Sequence, residues 1–180
     1  FFNQFNEIFN DTSFKNTLNH GVKLLEKLKE QSGRAFIIGI GGSASNASHL
    51  ANDFRRLCKI QTIVPTDNVG EFTAATNDDG WENAFISSLE VSNIKQNDLL
   101  IILSVGGGNV EKSISVNLIN ALKYFHSKNA KVMSILGKDD GFCASNSDCV
   151  ILCKSKDKNL TTPVSESMQS VIWHYFVSHP

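Results

Sequence analysis

An apolar run rich in β-formers, Ala35-Phe36-Ile37-Ile38, leads straight into Gly39-Ile40-Gly41-Gly42-Ser43 and then into a helical pattern that reaches Arg56. The apolar run is too short for a helix. Strand, glycine turn and helix in that order aim backbone N–H groups and a helix N-terminus at one anion. Glycine allows positive φ and lets the backbone come close to a ligand. Ser43 suits an N-cap and carries a hydroxyl for a phosphate oxygen. His49 and Asp53 lie four residues apart, so they share a face of the helix further along. Two common phosphate motifs are excluded. Ala44 stands where a dinucleotide fingerprint needs its third glycine, and no Gly-Lys-Ser/Thr follows.

The same device recurs downstream. Leu99 to Leu103 is a continuous apolar run of the kind buried in parallel sheets. It leads into Ser104-Val105-Gly106-Gly107-Gly108-Asn109 and a helix predicted from about Val110 to Lys128. Further strands are expected at Gln61–Val64, Ala130–Leu136 and Cys149–Leu152, with helices over Val69–Thr76 and Trp81–Val91. Asn77-Asp78-Asp79-Gly80 reads as a turn in which Asp78 caps the next helix. The last helix is expected to start with Thr162 as cap and Pro163 in first position. Strand alternating with helix five times implies an α/β fold, a parallel sheet with helices on both faces. Ligands then bind beyond the C-terminal strand ends, where both glycine loops fall.

Residues 1–30 lie outside that alternation and read as two extra helices, with a break near Asn10 to Ser13 where Thr12 or Ser13 caps the second. The face carrying Leu18, Val22, Leu25 and Leu28 packs either on the chain's own core or on a neighbouring subunit. Residues 1–180 are expected to form a single domain, with the α/β core over residues 31–180. A net charge of −1 offers no basic field for nucleic acid or an acidic membrane, so any phosphate must be held by local donors. Cys58, Cys143, Cys149 and Cys153 form no C-x-x-C pair, and no secretory signal or membrane span is apparent. Reduced thiols in a cytoplasmic protein are the expectation. The chain opens on Phe1 and stops at His179-Pro180, and is expected to continue past both ends.

Four separated motifs occur in one order: Gly39-x-Gly41-Gly42-Ser43-Ala44 with His49 downstream, Phe72 to Asp78, Ser104 to Asn109, and the stretch from Glu166 to His174. In this set the chain resembles the sugar isomerase (SIS) domain, and within it the phosphoheptose isomerases, over nearly its whole length. The resemblance implies a three-layer α/β/α sandwich with a five-stranded parallel sheet. It implies an aldose–ketose isomerase that converts sedoheptulose 7-phosphate to D-glycero-D-manno-heptose 7-phosphate for lipopolysaccharide or capsule. A homotetramer with sites between subunits is also implied.

Carried over residue by residue, the resemblance implies that Gly41, Gly42, Ser43, Asn77, Asp78, Ser104, Gly106, Gly107, Gly108, Asn109 and Glu166 bind substrate. Asp53, where the family has Glu, would be the base and His174 the acid. Carboxylate and imidazole suit that work because their pKa values can be brought near neutrality. Some members hold zinc, and the matching ligands are His49, Asp53, Glu166 and His174, with Glu166 at a position usually Gln. Eight helical residues rise about 12 Å, too far for Glu166 and His174 of one chain to reach one ion at ~2 Å each. A bent helix or a shared subunit interface is then required. Val105, Gly106 and Gly107 replace hydroxyl residues of the family's phosphate loop, so the grip there depends on backbone N–H groups and a helix dipole. The alternative is a non-catalytic SIS module that binds a phosphosugar and acts through a protein partner such as a replication initiator.

Overall fold

The structure is a computed structural model that describes residues 1–179. Five parallel strands form one sheet: β1 (Ala35–Gly39), β2 (Thr62–Ile63), β3 (Leu99–Ser104), β4 (Lys131–Leu136) and β5 (Cys149–Leu152), in the order β2-β1-β3-β4-β5. The chain reverses its direction of travel across the sheet between β1 and β3, which are paired from Ala35↔Leu99 to Gly39↔Leu103. Their C-terminal ends therefore flank the crevice where a doubly wound sheet takes its ligand.

Side chains of successive strand residues point to opposite faces. Ile37, Ile101 and Met133 join one core with the helices α2 (Thr12–Glu30), α3 (Gly42–Asp53) and α8 (Thr161–Ser178). Phe36, Ile38, Leu100 and Ile102 face the other core, with α5 (Ile86–Val91) and α6 (Val116–Ser127). Phe36 meets Phe125 edge to face at 5.4 Å there. The expected three layers are present. The remaining helices are α1 (Phe2–Asn10), α4 (Val69–Asp78) and α7 (Phe142–Asn146). Val22, Leu25 and Leu28 of α2 pack into the first core, so this helix covers its own chain's sheet. Phe1 and Phe2 of the N-terminal turn stay exposed. Among the described residues no helix is long and apolar enough to cross a membrane.

Several helix ends differ from the sequence reading. Asp11, rather than Thr12 or Ser13, caps α2 by accepting from Ser13 N–H at 2.7 Å. Gly41, with φ +63°, takes the N-cap position expected for Ser43. The stretch Trp81–Val91 divides into a 3₁₀ turn (Trp81–Asn83) and α5. Asp78 ends α4 and does not cap the next helix. α6 begins at Val116, later than the expected Val110, because residues 109–115 close on themselves. Asn109 and Ile114 form a bridge, Lys112 N–H bonds to Asn109 Oδ1 at 2.8 Å, and Ser113 and Ser115 adopt positive φ. α8 begins at Thr161, with Pro163 third, where the missing N–H is still an unpaired position. After Asp53 the helix widens into a π turn (Phe54–Cys58) and ends at left-handed Lys59.

Candidate active site

Both glycine loops open at the C-terminal rim of the sheet. Gly41 and Gly106 face open space, since a Cβ on either would meet nothing within 4 Å. The loop after β3 is anchored from below. Gly137 N–H donates to Val105 O, Phe142 N–H to Gly108 O and Cys143 N–H to Gly107 O, at 2.9 to 3.0 Å. Ser104 Oγ accepts from Gly107 N–H at 3.0 Å, which folds the loop over its own strand end. Gly106 N–H has no protein acceptor among the described residues, leaving a backbone donor at the open side. The N–H groups of Gly42 and Ser43 are the orphan donors of the first turn of α3.

α8 lies along α3, and the two helices run in the same direction. Asn46 Nδ2 donates to Glu166 O at 3.0 Å and to Gln169 Oε1 at 2.8 Å, and Gln169 Nε2 donates to Ser43 Oγ at 3.0 Å. Ser43 and Gln169 are buried, so the Ser43 hydroxyl is turned inward to this network. The sequence reading missed Asn46 and Gln169. The available signal was an amide at position 169 inside the buried stripe of Val164, Met168, Ile172 and Trp173.

Further down the same pair of helices, His49, Asp53 and His174 converge. Asp53 Oδ2 is 3.5 Å from His49 Nε2 and 3.8 Å from His174 Nε2. The three residues offer ligand atoms within 4.8 Å of one another. The His49 ring lies 5.1 Å from the ring of buried Trp173, which forms the apolar floor of the cluster. Asp53 is the sheltered member, its side chain 14% exposed against more than half for each histidine. Cys58 follows in the π turn, its thiol pushed up by burial, with Lys29 acting against and Asp53 adding to the shift.

The predicted zinc set divides in this arrangement. Tetrahedral donors ~2 Å from zinc stand about 3.3 Å apart, so His49, Asp53 and His174, with donor atoms within 4.8 Å of one another, would hold such an ion after a small inward movement of their side chains. Glu166 lies outside that cluster, with its carboxylate against Gly42. Asn77 and Asp78 sit at the exposed end of α4, where Asn77 Nδ2 donates to Asp78 Oδ1 at 2.7 Å. α3 has 12 residues from Gly42 to Asp53, so the backbone positions of His49 and Asp53 lie roughly 10 and 16 Å along the axis from Gly42.

No protein-family model matches the chain. A phosphoheptose isomerase of Helicobacter pylori (strain ATCC 700392 / 26695) is 30% identical over 162 residues, covering 87% of this chain and 79% of the enzyme. The lincomycin biosynthesis protein LmbN of Streptomyces lincolnensis is 29% identical over 160 residues; the match covers 86% of this chain but 58% of that longer protein. In three dimensions the chain resembles the phosphoheptose isomerase GmhA from Neisseria gonorrhoeae, with a TM-score of 0.84 and 19% identity over 98% of this chain and 90% of that one. A phosphoheptose isomerase from Francisella tularensis gives the same values. The two structural likenesses establish the fold.

Proposed function

The chain belongs to the phosphoheptose isomerase family of SIS-type sugar isomerases, and from that premise we propose that it converts sedoheptulose 7-phosphate to D-glycero-D-manno-heptose 7-phosphate. The observation that carries the reading is the Asp53 carboxylate held 3.8 Å from His174 Nε2 at the foot of a helix that opens from a glycine turn. Moving a ketose carbonyl to the neighbouring carbon requires a base that takes a proton from carbon and a partner that moves protons on oxygen. Asp53 is the base: it is sheltered and has two imidazole neighbours at 3.5 and 3.8 Å. His174 moves a proton between the two oxygens, and Asp53 returns the proton it took to the neighbouring carbon, which restores both groups to their starting states.

The loop from Ser104 to Asn109 and the turn at Gly41, Gly42 and Ser43 seat the phosphosugar, with Asn77, Asp78 and Glu166 in support. The reading includes a homotetramer, as the resemblance implies, in which the glycine loops of one subunit meet His49, Asp53 and His174 of another. Zinc fits the three-residue cluster and, when bound, would polarise the sugar carbonyl. The product would feed lipopolysaccharide or capsule synthesis in the cytoplasm.

Proton NMR of sedoheptulose 7-phosphate incubated with the protein tests the reading. Appearance of the aldose anomeric signal supports it. An unchanged substrate that nonetheless raises the protein's Tm overturns it in favour of a phosphosugar-binding module.

A further inference from the structure

A pocket of about 520 Å³ opens beyond the C-terminal ends of β4 and β5, beside the loop after β3. Lys138, Lys154, Lys156 and Lys158 line it, together with two carboxylates, Asp139 and Asp140. Lys154 Nζ pairs with Asp139 at 2.6 Å and Lys156 Nζ with Glu7 at 3.4 Å, while Lys138 and Lys158 have no ion-pair partner among the described residues. The fold builds this arrangement. Past β5 the burial alternates as in extended chain, so Cys153 and Ser155 turn inward and Lys154 and Lys156 outward. Gln4 of α1 fastens the strap: its Oε1 accepts from Ser155 Oγ at 2.9 Å and from Lys156 N–H at 2.8 Å. Thr161 and Thr162 complete the lining at the N-terminal end of α8, which has no side-chain cap. One turn further along α8, Ser165 is fully buried and its hydroxyl has no hydrogen-bond partner among the described residues. That hydroxyl stands 2.8 Å from where a Cβ on Gly137 would be, so glycine in the pocket wall lets it approach.

We propose that this pocket is a second anion site, built for a diphosphate group and separate from the glycine turns that seat the phosphosugar. Even after Asp139, Asp140 and Glu7 are counted against the four lysines, positive charge is left over, in a chain whose net charge is −1. The dipole of the 18-residue α8 adds to it at that helix's N-terminal end. Lysine binds phosphate as a point charge. Lys138 and Lys158 stand on separate loops, so each of two linked phosphoryl groups meets an unpaired ammonium group of its own. The volume falls within the roughly 300–1,000 Å³ of small-molecule sites. One backbone bond, Gly137 N–H to Val105 O at 3.0 Å, joins the pocket to the loop after β3. The pocket shares no residue with the His49–Asp53–His174 cluster. The inference goes beyond the isomerase reading and holds without it.

The test is calorimetry of the full chain with inorganic pyrophosphate and, in a second arm, with ADP, while backbone amide shifts locate the ligand. Pyrophosphate should shift the amides of Gly137, Lys138 and Thr162. Lys138→Gln and Lys158→Gln should each weaken binding about fivefold, the attraction of unit charges ~4 Å apart at water's dielectric. Both lysines are exposed, so the variants keep the fold, and turnover of sedoheptulose 7-phosphate should stay at the wild-type level. Lys95→Gln removes an exposed charge ahead of β3, at the other end of the sheet, and should leave pyrophosphate affinity unchanged. ADP that binds more tightly than pyrophosphate assigns the site to a nucleoside diphosphate, and ADP that binds equally or less tightly assigns it to pyrophosphate itself. No binding by the wild type, unchanged affinity in the Lys138 and Lys158 variants, an equal loss in Lys95→Gln, or shifts confined to Gly41, Gly42 and Gly106 overturns the inference. Absence of turnover in the wild type overturns the isomerase reading alone.

Discussion

Asp53→Asn removes the only carboxylate of the His49–Asp53–His174 cluster while keeping the side chain's shape. Its two ion-pair partners are half-exposed imidazoles at 3.5 and 3.8 Å. Such pairs contribute ~0–1 kcal/mol to stability. For a chain of this size that is at most roughly 2–4 °C in Tm. Loss of a general base costs about 10²- to 10⁴-fold in rate. At 1.36 kcal/mol per decade this adds about 3–5 kcal/mol to the barrier. The variant should therefore melt almost normally and lose nearly all turnover. The assay is the initial rate of aldose formation by NMR, paired with a thermal melt. His174→Ala and the double variant complete a cycle. If the two side chains act as one unit, the double variant is no slower than the slower single one. Turnover of Asp53→Asn within about threefold of the wild type, with a normal melt, refutes the reasoning, since a 10²-fold effect is the least expected of a base.

Other outcomes follow from neighbouring features. A methyl at position 141 would stand 2.0 Å from Gly106 O, so Gly141→Ala must push the β3 loop out of place. It should lower kcat/KM about 10²-fold, the cost of misplacing a substrate by an ångström, and unchanged steady-state kinetics would contradict the role given to that loop. Mixed subunits of Asp53→Asn and Gly141→Ala should regain turnover above either parent, because some interfaces then combine an intact loop with an intact cluster; no gain after mixing contradicts shared sites. Partial burial pushes Asp148 up, but hydrogen bonds from Lys131 Nζ, Val132 N–H and His126 hold its carboxyl below the usual range. A lowered folded pKa contributes stability above the unfolded value of about 3.9 that is lost as pH falls through the folded value. The Tm gap between wild type and Asp148→Asn should thus be full at pH 7 and shrink below about pH 4; a gap that persists at pH 2 contradicts this. Burial pushes the thiols of Cys143 and Cys149 up to about 12 and about 11, and raises Cys153 as well. Iodoacetamide at pH 8 should spare these three in the native protein and reach all four cysteines after denaturation, as counted by intact mass.

The sequence made the two glycine loops legible because each follows an unbroken apolar run, Ala35–Ile38 or Leu99–Leu103, and such runs are strands buried on both faces. The His49–Asp53 pair was legible from helical spacing alone. The late start of α6 was not, because it depends on Ser113 and Ser115 adopting positive φ, a conformation serine does not advertise. The π turn after Asp53 left no composition signal either. Asn46, Gln169 and Ser43 join across more than 120 residues, so their network exists only once α3 and α8 are laid side by side. Glu166 and His174 stand eight residues apart on α8. The 12 Å rise counted from the sequence put them too far apart for one ion, and the structure gives Glu166 a neighbour at Gly42 that spacing did not reveal.

The most direct measurement is solvent hydrogen exchange into sedoheptulose 7-phosphate. The wild type, incubated with substrate in D₂O, should introduce deuterium at C1 of the ketose and C2 of the aldose, the two carbons between which the carbonyl moves, and Asp53→Asn and His174→Ala should each abolish that exchange while still binding the sugar. Deuterium incorporation or turnover that survives in both variants, or the absence of both from the wild type while the sugar binds, contradicts proton transfer by this pair.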